Sequence, residues 1–221
     1  MRWDALLLSF KVASLAVCIA ALLGVPLAGV MARRRFPGRD VLDVLVTAPM
    51  VLPPTVLGYY LLVVLGRSSA LGGAFESLTG SSIVFRPLGA VVAATLGALP
   101  FVIKSSRAAI EDVDERLLGA ARTLGAGPVR TFVQIVLPLA KGGIVAGLAL
   151  GFARALGDFG VTLMVAGNIP GLTQTGSLAI YDAVQAGRDG QALGMVAVMS
   201  SLAVVLLYGV VKLTPGKRHG W

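Results

Sequence analysis

Four stretches of this chain run the length of a membrane helix without one charged residue: Val12–Ala32, Val44–Gly66, Pro87–Ile103 and Gly190–Val211. A hydrocarbon core of about 30 Å takes roughly 20 apolar residues to cross as a helix. Lipid offers backbone groups nothing to bond with, so such segments must be helices. A fifth stretch, Gly142–Ala166, is apolar apart from Arg154 and Asp158. The expected fold is therefore all-α, a polytopic transmembrane helix bundle of about five spans. These spans are expected near 8–32, 43–66, 86–106, 142–166 and 190–212, as one domain over 1–221. Composition agrees, because only 14% of residues are charged, whereas a soluble domain carries about a quarter. A lone cysteine, Cys18, excludes a disulfide scaffold.

The first stretch is longer than the apolar core of a signal peptide, and its positive cluster follows it instead of preceding it. A retained helix is the expectation. Asn168–Gly187 is also uncharged except for Asp182, but Pro170, Gly171, Thr173, Gln174, Thr175 and Gly176 predict a loop, with at most a short re-entrant piece.

The net charge of +8 is explained by orientation. Of the 19 Lys and Arg, thirteen fall on one side of a five-span topology. Arg33, Arg34, Arg35 and Arg39 follow the first span, and six more lie between spans three and four. Lys212, Lys217 and Arg218 complete the set. Arg2, Arg67, Arg86 and Arg188 lie opposite. Basic residues stay in the cytoplasm, which predicts an external amino terminus and a cytoplasmic carboxyl terminus in a cell inner membrane. No nucleic-acid partner is then needed. Trp3 and Trp221 suit the interfacial belts, in contact with membrane lipid.

Three features inside the spans invite a functional reading. Pro49, Pro53 and Pro54, followed by Thr55, fall near the middle of the second span. Each proline removes a donor and clashes with the preceding turn. The result is either a structural kink or a broken helix lining a substrate pathway. Arg154 and Asp158 sit four residues apart on one helix face. A charge at that depth costs at least ~2.5–3.5 kcal/mol, so the pair must face protein or a cavity, as a structural pin or as part of the pathway. Gly143, Gly147 and Gly151 form a line suited to close helix packing.

The polar segment 107–141 reads as two short amphipathic helices. Asp112 and Glu115 look like a carboxylate capping box, after which Leu117, Ala121 and Leu124 share a face. Gly125, Gly127 and Pro128 end that helix and start another, with Val129, Phe132, Val133 and Val136 as its stripe and Pro138 as its end.

Ala120-Ala121, Gly125 and Ile135-Val136-Leu137-Pro138 resemble the cytoplasmic EAA motif of binding-protein-dependent ABC transporter permeases, with Gly119 where that motif has glutamate. Arg35-Phe36-Pro37-Gly38, Val51-Leu52-Pro53-Pro54-Thr55, Phe152-Ala153-Arg154-Ala155-Leu156-Gly157-Asp158 and Asn168-Ile169-Pro170-Gly171 are similar to the molybdate-permease family. Sulfate permeases share part of the pattern. Asp158 stands where glutamate is usual. The resemblance implies a permease subunit of an ATP-driven oxyanion importer that pairs with a second copy of itself. Its partners would be an ATP-binding-cassette ATPase subunit and an extracytoplasmic oxyanion-binding protein. Ala120, Ala121, Arg122, Leu124 and Gly125 would contact the ATPase, and Pro53, Pro54, Thr55, Arg154 and Asp158 would be pathway or gate candidates.

No phosphate-binding Gly-rich loop with Lys occurs, so no cofactor is expected on this chain and ATP hydrolysis belongs to a partner. His219 and Cys18 stand apart from any metal-ligand set. No catalytic residue is expected. A permease for sulfate, tungstate or another oxyanion is the neighbouring alternative. An ion-coupled secondary transporter is a more distant one, because only Asp158 offers a membrane-embedded proton carrier.

Overall fold

A computed structural model describes residues 2–33 and 36–213. Arg34 and Arg35 of the basic cluster, with Lys217, Arg218, His219 and Trp221 of the tail, lie outside the described residues. Every regular element among the described residues is helical. Among them, four helices are long and apolar enough to cross a membrane, and a pair of helices bent by 115° makes a fifth crossing if the two are counted as one span.

Helix α5 (Pro87–Glu111) is the axis of the bundle, with thirteen of its 25 residues buried. Helix α1 (Trp3–Arg33) packs along it through small side chains, among them Ser9, Ala13, Ala16, Ala20, Gly24 and Ala28. Their three- and four-residue spacing keeps them on one face, where they let two backbones approach. Facing them are Ala90, Ala94, Ala98 and Val102 of α5. Helix α8 (Leu137–Leu156) closes the other side of α5. A Cβ added at Gly147 would fall 2.7 Å from the Ser105 Cβ, and one at Gly151 would fall 3.0 Å from a Val102 methyl. Gly143 meets Ala109 in the same way. The glycine line is a packing seam.

The second span does not merely kink. Helix α2 (Arg39–Val51) ends at Leu52, whose ψ of 139° is extended, as the residue before a proline prefers. Helix α3 (Pro54–Leu65) restarts with proline in its first turn, where the missing amide costs nothing. Pro49 is absorbed inside α2. None of α2's residues is buried; charges tie it to the end of α5. Asp43 lies 2.8 Å from Lys104 and 3.3 Å from Arg107, and Arg39 lies 3.2 Å from Glu111.

Three expectations are corrected on the polar side. Helix α5 continues to Glu111 and takes Asp112 as its C-cap, so the next helix, α6 (Glu115–Thr123), is capped by Asp114, whose carboxylate accepts from the Arg116 amide at 2.8 Å. The supposed apolar face of α6 is divided: Leu118 and Ala121 are buried, while Leu117 and Leu124 are exposed. Pro138 does not end the second helix. From α7 (Pro128–Thr131) the chain passes through a π turn, Phe132–Val136, straight into α8. Proline has no amide for the carbonyl four residues back and crowds it. The wider turn moves the pairing by one residue, so that the Leu137 amide bonds to the Phe132 carbonyl.

On the opposite side, the expected loop after α3 contains helix α4 (Ala70–Thr79), begun by Ser69, which accepts from the Gly72 amide at 2.9 Å. The fifth stretch is interrupted. Helix α8 ends at Leu156 and a short helix, α9 (Gly160–Ala166), follows after three residues. The predicted loop beyond it holds a ten-residue helix, α10 (Gly176–Gln185), before α11 (Asp189–Leu213). Its approach dips into the bundle: Thr173, Gln174 and Thr175 are buried, and the Gly176 amide donates to Ser9 Oγ of α1 at 2.6 Å.

Candidate functional site

The two helix breaks meet. Pro54, the first residue of α3, touches Gly160, the first residue of α9: a Cβ on Gly160 would lie 2.7 Å from the Pro54 Cβ. One turn further on, Gly58 admits the side chain of Met164. Leu57, Ala93, Val161 and Val165 form a small core beneath the pair. Irregular backbone at membrane depth is tolerated only where protein or a water-filled cavity covers it. Here each break is covered partly by the other.

Arg154 and Asp158 straddle the second break. Arg154 is in the last turn of α8 and Asp158 just precedes α9, so each charge lies at the helix end whose dipole favours it. The guanidinium donates from Nη1 to Asp158 Oδ1 at 2.9 Å. The other carboxylate oxygen accepts from the Thr162 amide at 3.0 Å and the Thr162 hydroxyl at 2.7 Å. Asp158 is thus saturated by three donors, with 2% of its side chain exposed, while Arg154 keeps 31%. The pair does not lie along one continuous helix, as expected from sequence; a turn separates its members. Arg154 still sits deep, with its guanidinium over Gly97, about 15 Å along α5 from Pro87 at 1.5 Å per residue.

Thr162 and Gly97 escaped the sequence reading. An Asp just ahead of a helix start is a usable signal, hidden here because the whole stretch was apolar enough to be one span. Gly97 carries no local signal. The far side of the break is closed by α10: Ser177 Oγ donates to the Leu156 carbonyl at 3.3 Å, which α8 no longer pairs, and Phe159 meets Tyr181 with ring centroids 5.1 Å apart. Pro53, Pro54 and Thr55 are exposed on the flank of the break.

The second candidate region is the α6–α7 loop, at the other end of α5 from this break. Gly125 takes φ +78° after α6, a conformation that favours glycine. Ala120, Arg122 and Leu124 are exposed, and Ala121 is buried. Leu117, Leu124, Val129 and Val133 present apolar side chains outward. Among the described residues, no group of three or more His, Cys, Asp or Glu is placed to hold a metal.

A family model described as binding-protein-dependent transport system inner membrane component matches residues 24–219. The chain is 42% identical over 207 residues to the molybdenum transport system permease protein ModB of Escherichia coli (strain K12), covering 93% of this chain and 90% of that protein. It is 40% identical over 207 residues to ModB of Azotobacter vinelandii, covering 92% of each. Among solved structures it resembles a chain of the MetNI methionine ABC transporter in inward-facing conformations, with TM-score 0.70 at 16% identity over 96% of this chain and 92% of that one. A chain of a bacterial ABC transporter involved in the import of the acidic polysaccharide alginate gives TM-score 0.67 at 15% identity, over 95% and 76%. At these identities the structural likeness is one of fold.

The matched family makes this bundle of long apolar helices, with its two apposed breaks and its helical loop, a permease, a subunit that conducts without covalent chemistry. The chain belongs to the binding-protein-dependent transport system inner membrane components and is the permease subunit of an ABC importer.

Proposed function

We propose that the imported solute is a molybdate-class oxyanion, and that this chain works as a single permease domain paired with a second copy of itself. The substrate reading is carried by the 42% identity to a molybdenum permease over 93% of the chain. Substrate arrives from an extracytoplasmic binding protein, and an ATPase subunit docks on the α6–α7 loop. ATP-driven closure of the ATPase pair draws the two loops together and turns the pathway outward. Pro53, Pro54 and Thr55, at the mouth of one break, and Arg154, at the other, line that pathway. The partly exposed guanidinium supplies positive potential to a doubly charged anion. Asp158 tempers that potential and holds the arginine in place. The amino terminus is external.

The test is uptake of radiolabelled molybdate by vesicles holding this chain, its ATPase and its binding protein. ATP-dependent uptake blocked by unlabelled molybdate, and far less by sulfate, is the expected result. Stronger competition by sulfate would assign a sulfate permease, and uptake without ATP would remove the ATPase from the scheme.

A further inference from the structure

The loop that faces outward through Leu117 and Leu124 is fastened inward at one aromatic ring. Phe132 opens the π turn, and its ring edge lies against Gly29 of α1. A Cβ on Gly29 would come within 2.6 Å of Phe132 Cε2 and 2.8 Å of Cζ, distances that no real side chain tolerates without movement. The ring packs in one cluster with Ala28 and Met31 of α1, Ile110 of α5, Leu118 of α6 and Val136. A second tie lies close by: Arg33 of α1 donates to the carbonyls of Ile110 and Val113, where α5 gives way to the loop.

The π turn makes this seat possible. It holds one extra residue, which rotates what precedes it relative to α8 by about 100°, the angle per residue of an α-helix. The glycine line of α8 and Phe132 therefore face different partners, α5 and α1, along one unbroken helical path. A continuous α-helix would turn Phe132 off α1 whenever Gly143, Gly147 and Gly151 sat on α5. Pro138, which has no amide to give, lies just after the wider turn at the start of α8.

We propose that Phe132 is a positioning residue for transport: seated on Gly29, it carries displacement of the α6–α7 loop into α1 and so into the bundle. This rests on the reading of that loop as the ATPase contact. Interfaces as closely fitted as this one move as units because they do not deform continuously.

The test is a pair of reciprocal volume changes in the full importer, read as substrate moved per ATP hydrolysed. Gly29→Ala is expected to keep assembly with the ATPase and ATP hydrolysis within twofold, while transport per ATP falls at least tenfold. Phe132→Leu alone is expected to lower the same ratio at least fivefold. Combined, the two are expected to return it to within threefold of the parent, because the added methyl fills the space that the ring vacates. A parental ratio in Gly29→Ala, or a combined variant no better than Gly29→Ala, overturns the proposal. If Gly29→Ala does not assemble, Phe132→Leu alone decides: a fivefold loss supports the joint and a parental ratio overturns it. ATPase association is measured separately for each variant. Unchanged association in Leu124→Glu would refute the docking reading itself, whatever the ratio shows.

Discussion

Asp158 carries two loads. It neutralises Arg154, and it satisfies the amide and hydroxyl of Thr162 at the start of α9. Substitutions separate them. Asp158→Ala removes both and strands a guanidinium inside the bundle. Breaking a fully buried pair costs ~3–5 kcal/mol; the 31% exposure of Arg154 brings the expected loss nearer ~2 kcal/mol. Thermal unfolding of the detergent-purified complex would show it. Arg154→Met with Asp158→Asn removes the charges but leaves an oxygen for Thr162. That double variant is expected to be more stable than Asp158→Ala, to bind the ATPase, and to lose at least nine-tenths of oxyanion uptake. Parental uptake would make the pair a structural pin and take Arg154 out of the pathway.

At the scale of the element, α6 has a buried face and an exposed one. Ala121 is 6% exposed and Leu124 is 88% exposed, so a glutamate does different things at the two sites. At Ala121 it places a carboxylate where burial without a partner costs several kcal/mol, and the loop is expected to lose its seat, lowering both stability and docking. At Leu124 the carboxylate stays in water, and the free subunit should change by less than ~0.5 kcal/mol. Docking is expected to fail there all the same, because the partner would have to desolvate the charge. Co-purification of the ATPase with Leu124→Glu measures this, and retention of a full complement would move the contact elsewhere. Ala121, named from its motif position, lies on the buried face.

Across the whole molecule, large apolar side chains remain outside: Val41, Val44 and Leu45 on α2, Tyr59, Tyr60, Val63 and Val64 on α3, and Val204, Val205 and Tyr208 on α11. On a chain of this kind such faces meet lipid or a second copy. The basic asymmetry predicts which end lies in the cytoplasm. In a Cys18→Ala background, an impermeant thiol reagent added to intact cells is expected to label Ser77→Cys on α4 and to spare Gly127→Cys in the α6–α7 loop. The reverse labelling would invert the topology.

What the sequence determined alone is whatever depends on runs and counts: the all-α class, the apolar runs long enough to cross a membrane, the uneven placement of basic residues along the chain and the loop with its motif spacing. Those properties are additive along the chain, since hydropathy and charge act on each segment whatever packs beside it. Pro53-Pro54 announced a break for the same local reason. The tertiary structure decided where interruptions fall when no proline marks them. Gly157-Asp158-Phe159 reads as helix until Thr162 takes the carboxylate, Ser177 takes the Leu156 carbonyl and Pro54 covers Gly160. It also decided which face of α6 turns inward, because Leu117, Leu118, Ala121 and Leu124 are all apolar and only the position of α5 and the π turn selects between them. Pairings across the bundle, Arg154 over Gly97 and Phe132 on Gly29, join residues 57 and 103 positions apart. No periodicity within either helix encodes such a meeting; it exists only once both backbones are close enough for a missing Cβ to matter.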